Sequence, residues 1–138
     1  MRLCRKPVGG KSLLNPECRI YEEIAKIADV MRRSEPLRFG RMYYRQISSD
    51  GLTFGLPYGS TYTLAFSRLL YGREILIAYN VSDKARHDRV IVDATLHPEP
   101  SRMTFLYGKA GTVQVQTAPS ADRFIQLDLD GHEFVILA

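Results

Sequence analysis

The chain has 138 residues, 45% of them apolar and 25% charged, which is typical of one globular domain that buries a core without disulfides or metals. Its two cysteines, Cys4 and Cys18, form no Cys-x-x-Cys pair, which argues against a zinc site and a disulfide framework and favours a reducing, cytoplasmic location. No apolar run of about 18 residues and no signal-peptide pattern occur, so neither a membrane span nor secretion is predicted.

The net charge of +4 is unevenly distributed along the chain. Residues 1–46 hold 11 Lys/Arg and 5 Asp/Glu, a net +6, whereas residues 47–138 hold 8 and 10, a net −2. A basic end can attract nucleic acid or an anionic surface. Here the arginines are spread over a predicted helix and strand, and no aromatic side chains alternate with them to stack on bases. We therefore expect a solvated helix face and no nucleic-acid or membrane partner.

One helix is predicted over residues 15–35, after an irregular segment at residues 1–14. Asn15 is a favourable N-cap, and Pro16 occupies the first helical position, where proline is common. Pro36 disfavours helical geometry at the residue before it. The helix is therefore expected to stop there.

The predicted helix carries a wide apolar stripe. Ile20, Ile24, Ile27 and Met31 recur at i, i+4, i+7 and i+11, the spacing of one helix face. A lone helix beside a sheet does not need so wide a stripe, and large exposed apolar patches usually mark contacts. We therefore predict that these four residues form an interaction face, which packs against a partner domain or a second copy of the chain.

After Gly40 the apolar pattern changes from the helical period of about 3.6 to the strand period of about 2. Residues 75–79 are apolar on both faces and should form a central strand, whereas residues 112–117 alternate and should bury one face. Short strands at this spacing, joined by Asp-Gly and Tyr-Gly turns, predict a mainly β protein with an antiparallel β-sandwich over residues 36–138. The eight predicted strands are Arg41–Ser48, Tyr62–Leu70, Glu74–Val81, Arg89–Thr95, Arg102–Tyr107, Thr112–Thr117, Arg123–Leu129 and Glu133–Leu137.

Two short motifs suggest ligand sites but lack residues that such sites need. Gly10-Lys11-Ser12 ends like a phosphate-binding loop, yet Arg5 stands where the loop needs its first glycine. The segment at 128–131 opens like a calcium loop, yet its twelfth position falls beyond the last residue. No metal or cofactor site is predicted. The histidines show no metal-ligand spacing and are interpreted as loop or surface residues, namely His87, His97 and His132.

No catalytic constellation is recognisable in the sequence. It contains no Gly-x-Ser-x-Gly nucleophile elbow. A glycosidase needs two carboxyl groups about 5 to 9 Å apart across a sugar. No such pair can be nominated, since Glu22 and Glu23, for example, are adjacent on the helix and do not face each other. The chain is therefore predicted not to be an enzyme by itself.

Tyrosines are frequent after the helix, and three of them are candidates for binding sugar. Aromatic rings can stack on sugar faces, and their hydroxyls can bond to sugar hydroxyls. Tyr43 and Tyr44 are neighbours in a predicted strand and must point to opposite faces, so one of them is expected to face outward. Tyr58 lies in a Pro-Tyr-Gly loop and is expected to be exposed. The alternative is that these rings serve core and cross-strand packing.

Several segments of the chain carry a family resemblance through their order and spacing. They are Leu14–Glu17 with Ile20 and Tyr21, Ile24–Arg33, the corner Leu37–Arg41, Tyr44–Ser48, Ala65–Arg68, Glu74–Leu76 with Asn80, and Phe134–Leu137. The first two resemble the last barrel helix of α-amylase family glycoside hydrolases, and the corner resembles that family's Leu-Arg-x-Gly-Arg motif. The remaining segments resemble the first strands and the closing strand of its C-terminal β-domain.

The resemblance implies a C-terminal Greek-key β-sandwich of about eight strands beside a (β/α)₈ barrel, whose strand-end loops carry the catalytic groups. No segment matches the family's catalytic Asp, Glu and Asp motifs, so no catalytic role carries over to any residue. We therefore expect a non-catalytic β-domain that shields or stabilises a glycosidase barrel through the helix face, or that self-associates through this face where the barrel is absent. The alternative is an α-glucan-binding module that uses Tyr43, Tyr44 and Tyr58.

Overall fold

The computed structural model describes residues 19–138. The predicted irregular segment 1–14, the predicted helix start at Asn15 and Pro16, the phosphate-loop-like motif and both cysteines lie outside the described residues. Within the described part of the chain, no helix has the length and apolar character needed to cross a membrane.

Across residues 19–138, two helices precede ten strands. Helix α1 spans Arg19–Arg33 and α2 spans Glu35–Phe39. The strands are β1 Arg41–Tyr44, β2 Ile47–Ser48, β3 Thr63–Leu70, β4 Arg73–Asn80, β5 Arg86–Val92, β6 Arg102–Tyr107, β7 Thr112–Gln114, β8 Gln116–Thr117, β9 Arg123–Leu129 and β10 Phe134–Leu137.

The strands form two antiparallel sheets. The first sheet has six strands in the order β1-β3-β4-β10-β6-β7, and the second has four in the order β2-β5-β9-β8. Alternate residues of both sheets point between them and form the main core, which buries the residues Leu76, Ala78, Val90, Val92, Met103, Val115, Ile125, Leu127, Leu129, Val135 and Leu137. This arrangement confirms the predicted mainly β sandwich with a long helix before it.

Strand β4 is central, as its apolar residues on both faces predict, because it lies between β3 and β10. Leu76 and Ala78 belong to the core between the sheets. The alternate residues belong to a second cluster, here called the helix-side cluster, formed by Ile75, Ile77 and Ile136. Val30 of α1 and Leu37 of α2 pack against the helix-side cluster, so the helices cover the outer face of the six-stranded sheet.

The structure has ten strands rather than eight because two predicted strands cross from one sheet to the other. The predicted strand Arg41–Ser48 becomes β1 in the six-stranded sheet and β2 in the four-stranded sheet. The predicted strand Thr112–Thr117 becomes β7 and β8, separated by the buried Val115. A chain that switches sheets must leave one ladder and join another, and each crossing forms a corner of the sandwich.

The predicted strand Arg89–Thr95 is wrong at both ends, since β5 spans Arg86–Val92. Its first three residues are polar, and they still pair with β9 in the ladder. At the other end Asp93 does not continue the strand. Its carboxylate instead accepts hydrogen bonds from the backbone N–H groups of Thr95 and Leu96, which forms a turn.

The helix boundary differs from the prediction at Pro36. Helix α1 ends at Arg33 and Ser34 is extended, so the chain does break before the proline. Glu35, however, is helical, because it begins the short helix α2 with Pro36 in its first turn. A proline is tolerated there because the first N–H groups of a helix have no intrahelical acceptor.

Candidate functional site

Helix α1 exposes the apolar stripe that its sequence predicts. Ile20, Ile24 and Met31 keep 45%, 59% and 44% of their surface exposed, and Ile27 is half-buried. No residue of α1 is fully buried. By their spacing the four residues share one side of the helix, and the described part of the chain leaves that side open to solvent.

The other side of α1 is fixed to the six-stranded sheet. Val30 packs against the helix-side cluster, and the Tyr107 hydroxyl on β6 donates a 2.6 Å hydrogen bond to Oε2 of Glu23. Hydrogen bonds from Lys26 and Tyr107 lower the pKa of Glu23, while the bond to Glu23 raises the pKa of Tyr107 to about 12. Glu23 is therefore ionised and Tyr107 protonated at neutral pH. These contacts fix the rotation of α1 and direct its apolar stripe outward.

A second exposed apolar area lies where α2 leads into β1. Met42 and Tyr44 pair with Arg68 and Phe66 of β3, so they point to the helix side of the sheet, because opposite residues of a strand pair share a face. Both are exposed, at 48% and 61%, as is Phe39 at the end of α2, at 68%. No described strand lies beyond β1 in its sheet. The helix side of the six-stranded sheet therefore has two apolar areas exposed to solvent, the stripe on α1 and the area formed by Phe39, Met42 and Tyr44.

The structure separates the three tyrosines that the sequence nominates for sugar binding. Tyr43 and Tyr44 pair with Ser67 and Phe66 and point to opposite faces, as predicted. Both are nevertheless exposed, at 45% and 61%, because β1 is an edge strand. Tyr58 is 92% exposed in the loop between β2 and β3, where it lines a polar cleft that neither of the others lines.

The polar cleft beside Tyr58 has a volume of about 640 Å³. Small-molecule sites usually fall between about 300 and 1,000 Å³. Strand β2 and the loop that follows it, residues 47–62, supply most of its lining, and Arg86 and Asp88 of β5 supply the rest. Hydroxyl groups, a carboxylate, a guanidinium and an aromatic ring therefore face one space.

Arg86 and Asp88 form an ion pair at this cleft, in which Asp88 is almost fully buried and Arg86 is partly exposed. Nε and Nη2 of Arg86 donate to the two carboxylate oxygens of Asp88 at 2.6 and 3.0 Å. Thr63 donates a further 2.6 Å bond to Asp88, whose side chain is 2% exposed. Because the hydrogen bond to Asp88 raises the pKa of Arg86, the guanidinium remains charged.

A second polar cluster is buried around Glu74, at the end of β4 nearest the β3–β4 turn. Its side chain is fully buried and accepts hydrogen bonds from Arg45 Nη2 at 2.6 Å, from the Ser67 hydroxyl and from the Asp93 backbone N–H at 2.9 Å. His97 Nε2 lies 3.1 Å from Oε2, the oxygen that also accepts the bond from the Asp93 N–H. These residues, here called the Glu74 network, join the β1–β2 corner, two strands of the six-stranded sheet and the loop after β5.

The Glu74 network keeps its central carboxylate ionised. Burial raises the pKa of Glu74, but the contacts with His97 and Ser67, the Arg45 charge and the Asp93 N–H outweigh burial and hold the pKa at about 2. Glu74 lines a cleft of about 650 Å³ beside the end of α1. A carboxyl group with this pKa holds no proton at neutral pH, so Glu74 lacks the protonation of a glycosidase general acid.

Two of the three histidines lie at the surface, as the sequence predicts. His87 is exposed and lies 2.8 Å from Asp128, and His132 is exposed beside Tyr79. His97 is a loop residue, which the prediction also allows, but its side chain keeps only 13% of its surface exposed because it turns inward to Glu74. Among the described residues, no three His, Cys, Asp or Glu side chains could hold a metal ion together.

Fold and surface together define a β-sandwich domain led by a helix with an exposed apolar face. No protein-family model matches the sequence, and no curated protein matches it. Among solved structures, a debranching enzyme from Nostoc punctiforme is similar, with a TM-score of 0.55 and 20% sequence identity over 86% of this chain. The match covers 21% of that enzyme, so the chain spans about a fifth of its length. The likeness shows that this fold occurs as one part of a debranching enzyme.

Proposed function

We propose that this chain is the non-catalytic β-domain of an α-amylase-like glycoside hydrolase of carbohydrate metabolism. The face formed by Ile20, Ile24, Ile27 and Met31 would cover an apolar surface of the catalytic barrel. The motifs along the chain and the fold shared with part of a debranching enzyme support this function. A Greek-key connection of the strands and a cytoplasmic location remain predictions that accompany it.

The exposed stripe on α1 is the observation that carries the proposal. The sheet side of the helix already has its partners in the helix-side cluster and in Tyr107, so the outward isoleucines are not needed for the sandwich itself. Covering the exposed half of an Ile side chain contributes roughly 1 kcal/mol. Several such side chains on one rigid helix can therefore hold two domains together.

Without a barrel beside it, the stripe is expected to make the chain self-associate. Sedimentation of the chain from micromolar to millimolar concentration should show a dimer or larger species. Ile24→Lys, at the most exposed isoleucine of the stripe, should shift the equilibrium to monomer by placing a charge in the contact. Lysine has a higher helix propensity than isoleucine, so helicity by circular dichroism should be retained.

A matched control is Leu52→Lys, which makes the same type of change at a 73% exposed leucine outside the helix. It should leave the self-association unchanged. A wild-type chain that stays monomeric at millimolar concentration, or one that Leu52→Lys dissociates as well as Ile24→Lys does, contradicts the role of the helix face.

A second candidate function is α-glucan binding, favoured by the exposure of Tyr43, Tyr44 and Tyr58. Calorimetric titration with maltoheptaose should then give a saturable signal. If the β1 edge is the platform, Tyr44→Ala should weaken binding by about tenfold, the effect expected for the loss of one stacking aromatic ring. Tyr71→Ala changes an 88% exposed tyrosine in the β3–β4 turn and serves as the control. No saturable signal at millimolar ligand rules out this second function.

A further inference from the structure

We propose that the cleft beside Tyr58 binds a neutral, polyhydroxylated ligand, an α-glucan segment, with Tyr58 as a stacking surface and with Asp50 and Arg86 as hydrogen-bonding groups. This inference rests on the second candidate function and deepens it. It places the glucan in a cleft between the β2–β3 loop and β5, away from the edge tyrosines Tyr43 and Tyr44.

Tyr58 has no role in the packing of the described chain, since 92% of its surface is exposed. The loop that carries it is nevertheless anchored on both sides. Gly55 and Ile47 exchange two backbone hydrogen bonds, of 2.9 and 3.0 Å, and the Tyr62 carbonyl accepts a 3.0 Å bond from Val81. An exposed ring held on an anchored loop loses little conformational entropy when a ligand stacks on it.

Arg86 supplies hydrogen-bond donors to the cleft. A guanidinium has five N–H donors. Within the described residues three of them are used, two by Asp88 and one by the Thr61 carbonyl at 3.1 Å. The ion pair with Asp88 fixes the plane of the guanidinium, so its remaining N–H groups are oriented before a ligand arrives.

Asp50 supplies the acceptor. Its Oδ1 accepts hydrogen bonds from Ser48 Oγ and from the backbone N–H groups of Leu52 and Thr53, at 2.8, 2.8 and 3.0 Å. These bonds, the one from Thr53 first, lower the pKa of Asp50 to about 2, so it is a carboxylate at neutral pH. The second carboxylate oxygen accepts no hydrogen bond from the described residues and is available to a ligand hydroxyl.

The combination of these groups selects a class of ligand. Arg86 and Asp88 cancel each other's charge, and Asp50 adds one negative charge, which disfavours anions such as sugar phosphates. An apolar ligand would bury the unused Arg86 N–H groups and the second Asp50 oxygen without partners. A sugar instead offers hydroxyls that both donate and accept, together with a C–H face that stacks on an aromatic ring.

Three variants of the full chain test the cleft by titration with maltotriose and maltoheptaose. Tyr58→Ala should weaken binding about tenfold, and Tyr58→Phe should retain most of it because the ring remains. Asp50→Asn should weaken binding several-fold, since its amide oxygen can keep the loop hydrogen bonds while the charge is lost. Tyr44→Ala and Tyr71→Ala should bind like the wild type, and circular dichroism should confirm that each variant is folded.

The outcomes separate this inference from the functions on which it builds. Losses confined to the Tyr58→Ala and Asp50→Asn variants support the cleft. Binding that is lost in Tyr44→Ala but retained in Tyr58→Ala and Asp50→Asn overturns the cleft and leaves a glucan module on the β1 edge. A wild-type chain that binds neither sugar at millimolar concentration overturns both, and leaves the barrel-covering function to be judged by sedimentation.

Discussion

Replacing Glu74 with glutamine is expected to lower the free energy of unfolding by about 3–5 kcal/mol and the melting temperature by roughly 10–20 °C. Glu74 is surrounded by donors, namely a guanidinium, a hydroxyl and a backbone N–H. Glutamine has one acceptor oxygen and adds an N–H₂ group that faces these donors. Arg45, whose side chain is 14% exposed, would lose its charged partner. Thermal unfolding followed by circular dichroism measures the loss.

The same carboxylate should make the wild type sensitive to acid. The pKa of Glu74 is lowered in the folded chain to about 2 from its ordinary value of 4.5. Its contribution, about 3 kcal/mol, is fully present above the unfolded pKa. This contribution is lost as the pH falls from about 5 towards 2. The Glu74→Gln variant cannot titrate at this position, so its stability should fall less steeply over that range.

A surface ion pair provides the control for this prediction. Glu35 and Arg73 lie 2.9 Å apart, but their side chains are 57% and 59% exposed. Exposed pairs of this kind contribute about 0–1 kcal/mol, so Glu35→Gln should change the melting temperature by a few degrees at most. Equal effects of Glu35→Gln and Glu74→Gln, or parallel stability curves for the wild type and Glu74→Gln between pH 5 and pH 3, would contradict a stabilising role for the Glu74 network.

The periodicity of apolar residues was sufficient to predict which faces of β4 and α1 are apolar. Residues 75–79 are apolar on both faces, and β4 is indeed covered by the core on one face and by the helix-side cluster on the other. The exposed stripe on α1 follows the same logic, because its width exceeds what one sheet contact needs. In both cases the local sequence determines which sides are apolar, and the fold must cover or expose those sides.

The sheet crossings were not predictable from periodicity. Residues 112–117 keep an alternating pattern across a corner, because both sheets bury inward-facing side chains of the same kind, and residues 41–48 carry no turn signal that marks their corner. At each corner the strand with which the backbone pairs changes: β1 pairs with β3 and β2 with β5, while β7 pairs with β6 and β8 with β9. The apolar pattern of the sequence does not record this change of partner. A pattern of side chains therefore predicts one strand where the backbone makes two.

The Glu74 network was also missed, because its members are far apart in sequence. Arg45, Ser67 and Glu74 lie in three different predicted strands, and only the β1–β3–β4 order brings them together. One clue was present: each of the three lies in a strand segment that carries the family resemblance.

The cleft beside Tyr58 was missed for a similar reason. The sequence indicated that Tyr58 is exposed in its loop, but it did not indicate that Arg86, which is distant in sequence, lies beside it.

Replacing Gly40 with alanine is expected to destabilise the chain by about 2 kcal/mol, because the corner between α2 and β1 leaves no room for a side chain. A Cβ atom at Gly40 would lie 2.5 Å from the Pro36 carbonyl oxygen and 2.9 Å from that of Leu69. Both are backbone atoms, so relief requires α2 to move away from β3. The Gly40 N–H also donates a 2.8 Å bond to the Pro36 oxygen, which holds the corner closed.

Gly55→Ala is the matched control, because no atom lies within 4 Å of the position of its Cβ. It should change the free energy of unfolding by less than about 0.5 kcal/mol, as measured by guanidinium unfolding. Identical midpoints for the two variants would show that the corner is not tightly packed.

The corner residues 37–41 also carry the family resemblance, and the lack of room for a side chain at Gly40 gives a physical reason for the glycine in this motif. The close approach of α2 to β3 fixes the start of β1 and, with it, the exposed apolar area of Phe39, Met42 and Tyr44.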